Sequence, residues 1–203
     1  RVFTLSSGNV TLLVSGNGTV QSVKVDGEEV ICTAATEVQR KFMAAKIGDD
    51  SLWSPVTNFS VDGQNVRAEF GGDASLLAHL NTTSDGWIVL EVVSVKAPVS
   101  LLTPGMLAVR MPYAARSLGA AYSNSSSVLL LGELEVTLWT GKGKGMTTPF
   151  GEMPSGCALP AAQTGQRGFV SAPTKAIGIW GGGGGTERLR CAVQNGERMF
   201  DLP

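Results

Sequence analysis

The chain is short of residues that do chemistry. Its 203 residues hold one histidine, His79, which stands between Ala78 and Leu80 in a strand-like run. With no G-x-S-x-G motif anywhere, a Ser-His-Asp hydrolase lacks both its nucleophile turn and a presented base. Three cysteines without a C-x-x-C spacing offer no zinc framework. Charged residues make up 16% of the chain and the net charge is −1, so nothing draws it electrostatically to nucleic acid or anionic lipid. No apolar run exceeds four residues; Val128-Leu129-Leu130-Leu131 stops at Gly132 and Glu133, far short of the roughly 20 residues that span a bilayer. Helical periodicity is missing as well. These shortages predict no bound metal or cofactor, no nucleic-acid partner and no membrane insertion.

Two glycine-rich stretches fail as phosphate cradles. Gly141-Lys142-Gly143-Lys144-Gly145-Met146-Thr147 lacks the Walker spacing and a following helix, and the run Gly181 to Gly185 opens no helix either. They read as a solvated basic loop and a flexible connection. Carboxylates occur in pairs at Asp49-Asp50 and at Glu133 and Glu135. Neither pair has the features that mark a glycosidase acid and nucleophile, and both read as surface charge.

What is plentiful is the strand and its turn. Asn17-Gly18, Asp26-Gly27, Asp62-Gly63 and Asp85-Gly86 each separate two β-rich runs, and such dipeptides suit hairpin turns that need positive φ. Val20, Val23 and Val25 nearly alternate with Gln21, Ser22 and Lys24, as in a strand buried on one face. Ile88-Val89-Leu90 and Val128 to Leu131 are apolar throughout, as in strands covered on both. The pattern predicts an all-β fold of two packed, mainly antiparallel sheets with little helix, in a single domain over residues 1–203. About a dozen strands are expected. Residues 141–165, with six glycines and three prolines, are expected to form a long surface loop.

Also plentiful is the N-x-Ser/Thr sequon. Five of the seven asparagines carry it: Asn9, Asn17, Asn58, Asn81 and Asn124. The motif matters only in a chain that passes through a secretory pathway, so the enrichment predicts a secreted or cell-surface glycoprotein. In that compartment the odd cysteine count leaves one thiol over. Cys157 and Cys191, both in the glycine-rich C-terminal third, are the candidate disulfide pair. Cys32, beside Val30 and Ile31, reads as a buried strand residue.

Carbohydrate recognition asks for an exposed aromatic face flanked by amide, carboxylate or guanidinium groups. Trp53 near Asp49 and Asp50, Trp139 at the mouth of the expected loop, and Tyr122 near Asn124 meet that description. Trp53 and Trp139 read equally well as core residues, and Trp87 and Trp180 read as core.

Several motifs occur in a telling order: Gly8-Asn9-Val10-Thr11-Leu12, the Gly18 to Val30 hairpin, Asp85-Gly86-Trp87-Ile88-Val89-Leu90-Glu91-Val92, Phe169 to Ile177 with Ala172-Pro173-Thr174, and Glu197 to Pro203. This order resembles the N-terminal β-sandwich, of the galactose-mutarotase-like or supersandwich type, that precedes the catalytic barrel of several large glycoside hydrolases. The resemblance implies a domain excised or processed from a longer chain, with a catalytic domain beginning after Pro203 and no activity of its own. It also implies that an adjacent catalytic domain or a glycan is the partner. Mutarotase chemistry would need a histidine and glutamate set that the sequence does not supply. The competing expectation is an extracellular assembly or adhesion module that works through protein contacts.

Overall fold

Two-residue turns rich in glycine bound many of the strands. In the computed structural model, which describes residues 1–48, 52–84, 86–96, 99–115, 120–132, 135–140, 150–164 and 175–183, Asp26 and Gly27 both take positive φ, 51° and 81°. That is the backbone a type I′ hairpin requires. The Asn17-Gly18 turn is built differently. Gly18 alone has positive φ, its N–H donates to the Ser15 carbonyl, and the pairing slips by one residue after Leu13, so this hairpin carries a bulge.

The described residues form 17 strands and one 3-10 turn at Val38–Arg40. A first meander comprises β1 (Val2–Ser7), β2 (Val10–Ser15), β3 (Val20–Val25) and β4 (Glu28–Glu29). Next come β5 (Ala44–Ile47), β6 (Trp53–Pro55), β7 (Asn58–Asp62), β8 (Asn65–Glu69), β9 (Ser75–Thr82), β10 (Ile88–Lys96) and β11 (Val99–Met106). The last group is β12 (Tyr113–Ala115), β13 (Ala120–Tyr122), β14 (Ser126–Gly132), β15 (Glu135–Thr140), β16 (Ala158–Thr164) and β17 (Lys175–Gly183). All pairings are antiparallel. The all-β expectation is borne out.

Three sheets result: β1-β2-β3-β4, β12-β13-β14-β17-β10-β9-β8-β7, and β15-β16-β11-β5-β6. The first packs β1, β2 and β3 against the centre of the eight-stranded sheet, at β10, β14 and β17. The third lies mainly along β14 and its neighbours. One apolar core joins all three, from Phe3, Leu12 and Val23 through Phe59, Ile88 and Leu90 to Leu102 and Leu130. At its middle, the Phe59 ring meets Phe3 and Phe42 edge to face, each at 5.8 Å between centroids.

The middle of the five-stranded sheet is covered on both faces, with Ala45 and Leu102 in the main core and Ala44 and Met106 in a second cluster, and the alternation continues past the end of β11. Leu107 and Val109 point into the main core, whereas Met106 and Ala108 point into the second cluster with Cys32, Ala35, Ala44, Met153, Cys157, Leu159 and Ala161, as the two-residue side-chain period of extended chain dictates. The lid over this second cluster is made of residues 32–40 and 150–157. Gln39, itself buried, joins the two segments by donating from Nε2 to the Glu152 carbonyl at 2.8 Å.

A disulfide between Cys32 and Cys157 closes the lid. This corrects the expected pairing of Cys157 with Cys191, and Cys191 lies outside the described residues. Nearness in sequence was the wrong guide. Ile31 and Ala158 each pair with the same residue, Val109, so the topology brings together two cysteines 125 residues apart. Cys32 is buried, as expected, but as half of a bridge.

Two other expectations change. Residues 158–164 of the expected loop form β16, paired on both sides to β15 and β11, while 141–149 lie outside the described residues. Gly181, Gly182 and Gly183 continue β17, opposite Val128, Ser127 and Ser126. No helix among the described residues is long and apolar enough to cross a membrane.

Candidate functional site

The β12–β13 hairpin sets Tyr113 directly opposite Tyr122. Their rings stack at 5.4 Å between centroids with planes 29° apart, and Tyr113 stays 49% exposed on the outermost strand of the eight-stranded sheet. Tyr122 is half-buried, so the solvent-facing part of the pair is mainly Tyr113. The turn that follows is fixed by Ser123, whose Oγ accepts from the Ser125 and Ser126 N–H groups at 3.2 and 3.1 Å. Asn124 rides exposed on top of it.

This turn abuts the β3–β4 hairpin. Ser125 Oγ donates to Glu28 Oε2 at 3.5 Å, and Arg110 donates from its guanidinium to the Glu29 carbonyl at 3.4 Å. Glu29 is held in turn, its Oε1 accepting from the Val23 and Ile31 N–H groups at 2.9 and 3.2 Å and its Oε2 accepting from Ser22 Oγ. The turn after Tyr122 thus presents an exposed amide, Asn124, and is linked through Ser125 to the Glu28 carboxylate of the neighbouring hairpin. Of these groups the sequence pointed to Tyr122 and Asn124. It missed Tyr113, Arg110 and Glu28, because their neighbourhood depends on strand pairing and on contacts between hairpins.

At another place on the surface a cleft of about 620 Å³ opens beside the β2–β3 turn, lined by Arg1, Ser15, Asn17, Gln21, Glu37 and Arg40 among others. Asn17 is its best-organised group. Its Oδ1 accepts from Ser15 Oγ at 2.5 Å and from the Thr19 N–H at 3.2 Å, and its Nδ2 donates to Glu37 Oε1 at 2.8 Å. Lys41 sits beneath, donating from Nζ to the Asn17 carbonyl at 2.7 Å and lying 3.7 Å from Glu37. Burial lowers the Lys41 pKa below the ordinary lysine range, against the opposing pull of the Glu37 charge and hydrogen bond.

Of the remaining expected ligand residues, the structure describes the side chain of Trp53. Trp53 is half-buried on β6, packed against the second cluster, with Lys46 Nζ 5.5 Å from its ring centroid, which is a structural placement more than an open platform. Trp139 lies on β15, and its side chain, like Asp49 and Asp50, falls outside the described residues. β6 and β15 are opposite edges of one five-stranded sheet. At about 4.8 Å per strand their backbones stand roughly 19 Å apart. Trp87 is fully buried, as expected. His79 is exposed on β9, opposite Glu91 and Asn65. All five sequon asparagines are exposed.

No protein-family model matches the chain, and no curated protein sequence matches it.

Proposed function

We propose that this chain is a non-catalytic carbohydrate-binding β-sandwich of a secreted glycoprotein, and that the stacked pair Tyr113 and Tyr122 is its sugar platform. The observation that supports this most is the stacked tyrosine pair at one sheet margin, with Tyr113 exposed and Tyr122 running into the turn that carries the exposed Asn124 and Ser125. A pyranose has an apolar face that lies on such rings and hydroxyls that need donors and acceptors at the rim. The surface exposure of all five sequon asparagines supports the glycoprotein part of the reading. The resemblance to supersandwich domains adds a neighbouring glycosidase domain as the activity that such binding would serve.

A glycan array probed with the whole chain tests this, with Tyr113→Ala and Tyr122→Ala beside Trp53→Ala. Binding that disappears in the tyrosine variants and survives Trp53→Ala is the expected result. Binding lost only in Trp53→Ala moves the platform to β6. No binding to any glycan overturns the proposal and favours the assembly module, for which the exposed Leu52, 70% accessible beside the edge strand β6, is the surface to examine.

A further inference from the structure

Four of the sequon asparagines are exposed and do not line the cleft beside the β2–β3 turn: Asn9 in the β1–β2 turn, Asn58 opening the edge strand β7, Asn81 on β9 and Asn124 in the β13–β14 turn. Asn17 differs, since it lines that cleft. We propose that Asn17 carries an N-linked glycan whose first sugar lies in that cleft and serves as part of the folded structure. The proposal rests on the secreted-glycoprotein reading and assigns one glycan a place.

The hydrogen bonds favour it. Asn17 Nδ2 has two hydrogens and makes one bond among the described residues, to Glu37. Glycosylation replaces one hydrogen only. In the transfer, Nδ2 forms a bond to the anomeric carbon of a diphosphate-linked oligosaccharide, the bond from that carbon to the diphosphate oxygen breaks, the diphosphate leaves with the electron pair, and the displaced proton passes to base. The secondary amide that results keeps an N–H for Glu37, and Oδ1 keeps both of its donors, Ser15 and Thr19. The network around Asn17 accommodates the sugar when Glu37 takes the hydrogen trans to Oδ1, since a trans secondary amide keeps that one.

The cleft also suits a sugar. Its volume of about 620 Å³ falls within the range of small-ligand sites. The walls supply hydroxyl partners of several kinds: the Gln21 amide, Ser15 Oγ, and the guanidiniums of Arg1 and Arg40. Neither arginine has a carboxylate partner among the described residues; the Arg1 guanidinium lies over the Phe3 ring at 5.2 Å and Arg40 Nε is buried without a partner, which leaves N–H donors of both for sugar hydroxyls and for the N-acetyl carbonyl of an N-linked core. Asn17 is tethered to the same wall by Lys41 and Glu37, which limits how far an attached sugar swings away.

The test is site-resolved deglycosylation of the chain secreted from a eukaryotic host. Each sequon peptide is followed by mass spectrometry while an amidase that cleaves the Asn-linked sugar acts on native and then on denatured protein. The expected result is a glycan at Asn17 released at least about tenfold more slowly than those at Asn9, Asn81 and Asn124 in the native protein, and at the same rate after denaturation. Arg40→Ala should speed release at Asn17 and leave the other sites alone. Equal native rates at all sites overturn the proposal. An unoccupied Asn17 beside occupied neighbours also overturns it and leaves the glycoprotein reading standing, whereas a chain secreted without any glycan ends both.

Discussion

Breaking the Cys32–Cys157 bridge should remove a large part of the stability of the fold. The two cysteines are 125 residues apart, and in the chain-entropy account a cross-link closing a loop of that length withdraws about 5 kcal/mol of freedom from the unfolded state. Domains of ordinary stability have only about 5 to 15 kcal/mol in all. Both sulfurs also belong to the cluster between the five-stranded sheet and its lid, so their loss removes packing there as well as the cross-link. The comparison is equilibrium urea unfolding of the oxidised protein and of the double variant Cys32→Ala/Cys157→Ala. With an m-value of about 2 kcal/mol/M, the midpoint should fall by about 2.5 M. Cys191→Ala serves as the control and should leave it in place. The covalent structure is checked by mapping disulfide-linked peptides without reduction, where Cys32 and Cys157 should appear together. A Cys157–Cys191 peptide, or a double variant whose midpoint moves by less than about 0.5 M, would refute the reasoning.

Four further predictions concern individual side chains. Phe59→Ala, which empties the contact between Phe3 and Phe42 at a site 1% exposed, should cost about 3 to 5 kcal/mol in the same urea experiment. Gly18→Ala should destabilise by at least about 1 kcal/mol, because Gly18 has φ 78° and a Cβ there would fall 2.1 Å from Val56 Cγ1; a thermal midpoint unchanged from the parent would contradict it. Thr103 is fully buried and its hydroxyl has no partner among the described residues, so Thr103→Val should be neutral or stabilising by up to about 1 kcal/mol, read from the urea midpoint. Lys41 releases its proton in the folded state at lower pH than in the unfolded chain, because burial disfavours its charge. The unfolded chain then binds more protons in the window just below the ordinary lysine pKa, and stability should rise with pH there. Measured relative to Lys41→Met, that rise should be present in the parent; a difference between the two that stays flat with pH would count against it.

The sequence was most legible where a feature is local. Asp26-Gly27 announced its turn because only a few residues tolerate two successive positive φ values, and the structure has both. The burial of Val128, Leu129 and Leu130 followed from their continuous apolar run, and β3 alternates as expected except at Ser22, which is buried beside Val23 next to the hairpin's bulge. β16 was illegible because Ala158, Leu159, Pro160, Ala161 and Ala162 have little intrinsic strand preference; their extended form comes from pairing on both sides with β15 and β11. The glycines that end β17 were read as a connection for the same reason, yet β14 supplies them with backbone partners. The disulfide and the tyrosine pair depend on which strands become neighbours. No window of sequence carries that information: Tyr113 and Tyr122 meet through the pairing of β12 with β13, and Cys32 meets Cys157 because Val109 lies between Ile31 and Ala158.

Where β17 lies has a consequence for a chain made from one end. It is the last described strand, yet it occupies the middle of the largest sheet, with β14 on one side and β10 on the other. About 80 residues separate the end of β10 from the start of β17. At synthesis rates of ~5 to 20 residues per second, the unpaired margin of β10 waits roughly 4 to 16 s for its neighbour. During that interval two halves of a sheet, each with a bare edge, are open to strands of other chains. Cys32 meanwhile stays a free thiol until residue 157 has emerged and folded against it. The demand on the cell is therefore for holding chaperones and thiol exchange during elongation, ahead of any need once the domain has closed.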